Sequence, residues 1–150
     1  MIGEFQKILQ EKFKVTESIV ARNELRVKIV REGLLPLCQF LSENTFDHLS
    51  CITGIDFIEY VQVVYHLFSY EKKFWVVLKV DLQKDDPHVP TVYPVWPVAD
   101  WLERETYDLV GIIFDGHPDL RRILLPESWK GHPLRKDYVD ENEIQWGEVL

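Results

Sequence analysis

The sequence predicts a two-layer α+β protein: an α-β(2)-α-β(3) body with one mixed sheet, then a helix and an extended C-terminal tail. Two early stretches carry apolar residues at helical spacing, five others carry the alternation or the aromatic and β-branched density of strands, and prolines crowd the chain past Asp85. Residues 1–84 form the body, and residues 85–150 form a proline-rich connection, a helix and an arm of the same single domain. At 150 residues a chain buries roughly 70% of its unfolded surface, enough for one core.

Ile2, Phe5, Ile8, Leu9 and Phe13 share one face of a first amphipathic helix. Val15–Val20 and Leu25–Val30 alternate apolar and polar residues around residues 21–24, the pattern of a hairpin. Pro36 sits early in Leu34–Asn44, where its missing N–H costs little, and Leu34, Leu37, Cys38 and Leu41 form the stripe of a second helix. His48–Thr53, Glu59–Phe68 and Lys73–Leu82 follow as strands. Pro87, Pro90, Pro94 and Pro97 then hold the chain extended, because each removes a donor and disfavours helical angles in the residue before it. A third helix runs from Pro97 to Leu109 or Val110, with Gly111 as its stop.

On that helix Val98, Trp101, Leu102, Glu105 and Leu109 fall on one stripe, placing the Glu105 carboxylate on an otherwise apolar face. Asp100, Arg104 and Asp108 stand at pairing distance on the other. A buried carboxylate needs a cationic or hydrogen-bonding partner. Glu105 is therefore either an intrachain clamp holding the tail or an acid that meets an arginine of a partner.

Charge and cysteine usage exclude several classes. The net charge is −8, yet residues 116–138 carry Arg121, Arg122, Lys130, Arg135 and Lys136 against three acids, leaving −10 on the rest. So acidic a body disfavours nucleic acid. Cys38 and Cys51 lack Cys-x-x-Cys spacing, so they read as buried free thiols and not as cluster ligands. The first residues lack a signal-peptide core, and no apolar run approaches a membrane span, so membrane contact is expected only through a partner.

Gly-His-Pro occurs twice, at 116–118 and 131–133, each followed by Leu and a basic pair. His117 and His132 are fifteen residues apart with no cysteine nearby, which is not a ligand spacing for metal. Ser128 lacks the strand–turn–helix setting of a hydrolase nucleophile, and the scattered glycines assemble no phosphate loop. Each Gly-His-Pro instead fixes a turn, with Gly free to take positive φ and Pro fixed near −65°. Arg121, Arg122, Trp129, Arg135, Lys136 and Tyr138 are of the types that anchor interfaces. Burial against another subunit is the preferred reading, and packing back on the chain's own sheet is the alternative.

Glu103-Arg104-Glu105-Thr106-Tyr107-Asp108-Leu109-Val110-Gly111-Ile112, Phe114, Gly116-His117-Pro118, Leu120-Arg121-Arg122-Ile123-Leu124, Trp129 and Gly131-His132-Pro133-Leu134-Arg135-Lys136-Asp137-Tyr138 closely resemble the signature of the C subunit of respiratory complex I. That family is also called the 30-kilodalton subunit, and its plastid counterpart is the J subunit. Asp56, Tyr65-His66-Leu67 and Val89-Pro90-Thr91 extend the resemblance over most of the chain. It implies a structural subunit of the peripheral arm of NADH-quinone oxidoreductase, bracing the quinone-side module while the assembly couples electron transfer to proton translocation. It implies no cofactor on this chain; FMN, iron–sulfur clusters and quinone belong to the assembled complex. The implied partners are the D subunit, which shapes the quinone pocket, and the cluster-bearing subunits of the quinone module.

Arg121, Arg122, Trp129, Arg135 and Lys136 become interface anchors by this resemblance, joined by Glu105 and Tyr138, while His117 and His132 shape the turns. Arg121→Ala or Arg135→Ala is then expected to leave the fold intact and weaken assembly. The location implied is the cytoplasmic face of the cell membrane, or the stromal or matrix side for an organelle-encoded chain; the lack of a transit peptide favours a bacterial, archaeal or organelle-encoded origin. Many relatives run on past the position of Leu150, and some are fused to the D subunit. Related modules in membrane-bound hydrogenases and ferredoxin-linked complexes keep the role and change the machine. A free-standing metal- or anion-binding protein is the alternative of another class.

Overall fold

The computed structural model describes residues 1–142. Its elements are α1 (Ile2–Lys12), β1 (Val15–Ala21), β2 (Glu24–Ile29), a single 3-10 turn at Arg31–Gly33, α2 (Leu34–Glu43), β3 (His48–Asp56), β4 (Tyr60–Ser69), β5 (Phe74–Gln83), β6 (His88–Pro90), α3 (Ala99–Val110) and β7 (Ile113–Asp115). The expected order of helices and main strands is present. Five strands form one sheet in the order β1-β2-β5-β4-β3, antiparallel except where β2 lies parallel to β5, so the sheet is mixed as expected.

Register puts one set of side chains inward. Val63 opposes Val80, Tyr65 opposes Leu78 and Leu67 opposes Val76, while Leu25 and Val27 of β2 meet Val76 and Leu78 across the parallel ladder. All of these are buried. Phe5 and Leu9 of α1, with Leu34, Leu37, Cys38 and Leu41 of α2, cover them. Phe5, Phe46 and Phe74 meet at centroid distances of 5.3–5.8 Å, and the Trp96 indole N–H donates to the Phe46 carbonyl at 3.1 Å. Val89, Val92, Trp96 and Ala99 belong to this same core, so the proline-rich connection is packed against the sheet.

Three expectations need correction. The connection is not merely extended: His88–Pro90 pairs in parallel with Ile113–Asp115 to make a two-stranded sheet. Three-residue strands, one of them ending in a proline, have no periodicity to read. Cys38 is fully buried, but Cys51 is half-buried on the outer sheet face, its sulfur 3.7 Å from the His66 ring. Cys51 follows the β3 bulge opposite His66, on the sheet face away from Leu49 and the core.

The third correction concerns the orientation of α3. Trp101 is 67% exposed, Val98 and Glu105 are exposed, and Leu102 and Leu109 are half-buried; Ala99, Glu103, Thr106, Asp108 and Val110 are buried instead. The polar inward residues explain the rotation. Glu103 accepts the Thr91 hydroxyl at 2.6 Å and the Val92 N–H at 2.8 Å, and the Thr106 hydroxyl donates to the Ile52 carbonyl at 3.1 Å. These bonds staple the connection and the β3 edge to the helix, and Val98, Trp101 and Glu105 are left outside while Leu102 and Leu109 lie at the margin of the core. Gly54 makes the close approach of α3 to β3 feasible, since a Cβ there would lie 3.0–3.1 Å from Ile112, Thr106 and Val110.

Burial, with Asp100 adding to it, pushes the Glu103 carboxyl up from 4.5 to about 7 against the opposing bonds from Thr91 and Val92. Between those values the folded chain holds a proton that the unfolded chain has released, so stability falls as pH rises through this window and levels above it. The loss is at most about 3 kcal/mol at 1.36 kcal/mol per pH unit. Glu103→Gln keeps both contacts, with the amide donating to Thr91 and the carbonyl accepting from Val92. Urea unfolding at pH 5 and pH 8 is expected to show this part of the pH dependence in the parent protein and its disappearance in the variant.

Candidate partner-binding site on α3 and the C-terminal arm

An α-helix leaves its last four carbonyls without partners. At the end of α3 the helix's own cap satisfies the first of them and the arm supplies the other three. Gly111, in the left-handed region at φ 81°, donates its N–H to Tyr107; the Asp108 carbonyl accepts from Arg122 Nη1 and His132 Nδ1, each at 3.0 Å; the Leu134 N–H donates to Leu109 at 2.8 Å; and Arg135 Nε donates to Val110. Two guanidinium groups thus sit at the negative end of the helix dipole. Gly111 is also packed from outside, because a Cβ would lie 2.6 Å from the His132 ring.

The Asp108 side chain ties the same region a second way. One carboxylate oxygen accepts Arg122 Nη1 at 2.8 Å, and the other accepts the successive N–H groups of Ile123, Leu124 and Leu125 at 3.1, 2.8 and 2.9 Å. Arg122 Nη2 reaches on to the carbonyls of Trp129 at 3.0 Å and Gly131 at 2.8 Å. Burial raises the Asp108 carboxyl, but Arg122 and the three amides outweigh it, so its pKa lies below the ordinary carboxylate range. Asp56 plays a parallel part at the end of β3, accepting the Lys136 N–H at 2.7 Å and pairing as an ion with Lys84 Nζ at 2.9 Å.

The doubled motif grips α3 at both ends. Gly116 and Gly131 take φ of 84° and 85°, as the turn reading requires. His117 is sealed at the start of the helix: its Nδ1 accepts the Asp119 N–H at 3.0 Å, so Nε2 carries the proton and donates to the Asp100 carbonyl at 3.0 Å. His132 lies at the other end, edge-on to Tyr107. Asp100 and Asp108 are separated by about 12 Å of helix at 1.5 Å per residue. The two imidazoles therefore do not converge, and among the described residues no group of three His, Cys, Asp or Glu is placed to hold a metal ion.

His117, Arg122, His132 and Arg135 thus pack back on the chain, against α3 and not across the sheet. The Arg104 guanidinium, expected to pair along the helix, donates instead to the carbonyls of Arg121 and Arg122. Trp129 is half-buried, and the Tyr138 ring packs on Gly131, where a Cβ would lie 2.9 Å away. Arg121 remains out in solvent, its side chain paired among the described residues only with Asp119 at 2.9 Å, and the Lys136 side chain is exposed. Leu124, Leu134 and Val139 on the arm are exposed with Val98 and Trp101 on α3. The residue that sequence reasoning undervalued is Asp108. A carboxylate in a helix's last turn opposes the dipole, and that misfit was the available signal of a special partner.

Fold and arm together define an α+β protein with a five-stranded main sheet whose C-terminal segment is clamped along its third helix. The chain belongs to the family described as the 30 Kd subunit of respiratory-chain NADH dehydrogenase, whose model matches residues 27–143. A relative from Nocardioides sp., named as the C subunit of NADH-quinone oxidoreductase, is 42% identical over 127 residues, covering 80% of this chain and 51% of the relative. The chain spans about half the length of the first curated relatives it matches. Among solved structures, a trypsin-resistant fragment of Nqo5 is similar at TM-score 0.69 and 29% identity, covering 79% of this chain and 98% of the fragment. A chain of the membrane-bound sulfane sulfur reductase, an archaeal respiratory membrane complex, shares the fold at TM-score 0.80 and 24% identity over 99% of this chain and 89% of that one.

Asp108→Ala leaves Arg122 and three amides without their buried acceptor. The expected cost is about 3–5 kcal/mol, the range for breaking one side of a buried ion pair. Faster hydrogen exchange at Ile123–Leu125 and faster trypsin cleavage after Arg121 and Arg122 are the measurements that check it, with Asp108→Asn intermediate.

Proposed function

We propose that this chain is a non-catalytic structural subunit of the peripheral arm of NADH-quinone oxidoreductase, bracing the quinone-side module that receives electrons from NADH while the assembly translocates protons. Family membership, with relatives named as the C subunit of that enzyme, is the observation that carries it. The surface supports it. Trp101, Val98, Leu124, Leu134 and Val139 present large apolar side chains along α3 and the arm, and an exposed tryptophan beside aliphatic residues is the composition of an interface centre.

Within this reading FMN, the iron–sulfur clusters and quinone are held by other subunits, and the neighbours are the D subunit and the cluster-bearing subunits of the quinone module. No helix among the described residues is long and apolar enough to cross a membrane, and this reading seats the chain peripherally, on the cytoplasmic face or its organelle equivalent. Glu105, Arg121 and Lys136 meet partners directly. His117, Arg122, Trp129, His132, Arg135 and Tyr138 serve the interface by holding the arm that presents it. A second reading places the chain in a related membrane complex such as a hydrogenase or a ferredoxin-linked enzyme, and the fold shared with the archaeal sulfane sulfur reductase favours it. Affinity purification of the tagged chain from native membranes, with its companions identified by mass and NADH-to-quinone activity assayed, separates the two.

Trp101→Ala and Arg121→Ala remove exposed side chains, so the isolated variants are expected to unfold within about 0.5 kcal/mol of the parent. Co-purifying complex is expected to fall tenfold or more for Trp101→Ala, as about 2 kcal/mol at a hot spot implies, and less for Arg121→Ala at the rim. Equal recovery with both variants overturns the assignment of this face.

A further inference from the structure

Between β3 and α3 lies a cleft of about 110 Å³, lined by Ile52, Gly54, Thr106, Leu109 and Val110, with Glu105 and Leu134 among its walls. Its size decides its ligand class. A small-molecule site needs roughly 300 Å³ or more, so this cleft takes the end of one side chain. Its chemistry is equally restricted: aliphatic side chains, backbone and the threonines Thr53 and Thr106, with one exposed carboxylate. No described residue forms an ion pair or hydrogen bond with Glu105. The nearby cations are committed elsewhere, Arg104 to the carbonyls of Arg121 and Arg122, and Arg135 to that of Val110.

We propose that this cleft is a socket for an arginine of a partner protein, its stem lying over Leu109, Val110 and Leu134 and its guanidinium seated on Glu105. The inference rests on the subunit reading above and names the partner's chemistry at that face. An arginine fits better than a lysine because Trp101 lies one helical turn from Glu105 on the same stripe and 67% exposed, offering a flat ring for a planar cation. The chain's own residues 143–150, EIQWGEVL, contain no basic residue and two acids, so they cannot neutralise Glu105. Gly54 puts no side chain of its own into the floor, where a Cβ would lie 3.1 Å from Thr106 and Val110.

The test uses the tagged full chain in its native host, with the photo-crosslinking amino acid p-benzoylphenylalanine in place of the exposed Leu134. After irradiation and purification, the joined peptide is sequenced by mass. A peptide from another protein of the complex, with an arginine within about two residues of the crosslink, is the expected product. Glu105→Arg is expected to lower both the crosslink and the co-purifying complex by roughly tenfold or more, and Glu105→Gln by less, with melting of either isolated variant unchanged. A joined peptide without arginine, a crosslink to residues 143–150, an assembled complex with no crosslink, or Glu105→Arg assembling like the parent each overturns the socket. If the parent chain enters no complex before irradiation, the subunit reading itself falls and the socket with it.

Discussion

The end of α3 is the constraint on which the arm depends. Three carbonyls beyond the one that Gly111 caps, and one buried carboxylate, have to be satisfied within a few ångströms, and they take up Arg122, His132, Leu134, Arg135 and three successive amides. Because these partners come from positions spread over residues 122–135, meeting the helix's needs also fixes the path of an arm that has no ladder of its own. The arm's conformation is thus set by polar satisfaction more than by apolar burial, the reverse of the sheet beneath it.

That division decided what could be read from residues alone. The sheet and its first two helices were legible because apolar burial imposes a period, and Leu34, Leu37, Cys38 and Leu41 face inward as their spacing demands. The glycine turns were legible too, since Gly116 and Gly131 take the positive φ that their motif needs. The orientation of α3 was not. Its stripe of Val98, Trp101 and Glu105 obeys the helical period, but the inward face is fixed by Glu103, Thr106 and Asp108, whose partners lie in distant segments that no local pattern links to them. An apolar stripe on the wrong side of a helix is itself informative, because it marks a surface shaped by something other than this chain's core.

The two carboxylates of α3 illustrate how environment sets the role. Glu103 sits among Thr91, Val92 and the core with no cation, and burial raises its pKa. Asp108, equally hidden from solvent, faces a guanidinium and three amides and is held ionised. Five residues along one helix therefore separate a group that can take up a proton near neutrality from one that stays charged.

The grip on α3 also has a consequence in time. The helix ends at Val110, but its last partner, Arg135, is about 25 residues further along, or roughly 1–5 s of synthesis at 5–20 residues per second. Until then the helix relies on the sheet core, the bonds of Glu103 and Thr106 and whichever earlier arm partners have been made, and the Val110 carbonyl still lacks its guanidinium. A nascent chain of this kind closes like a latch, from the last segment made, and the surface formed jointly by α3 and the arm exists only once the latch has shut.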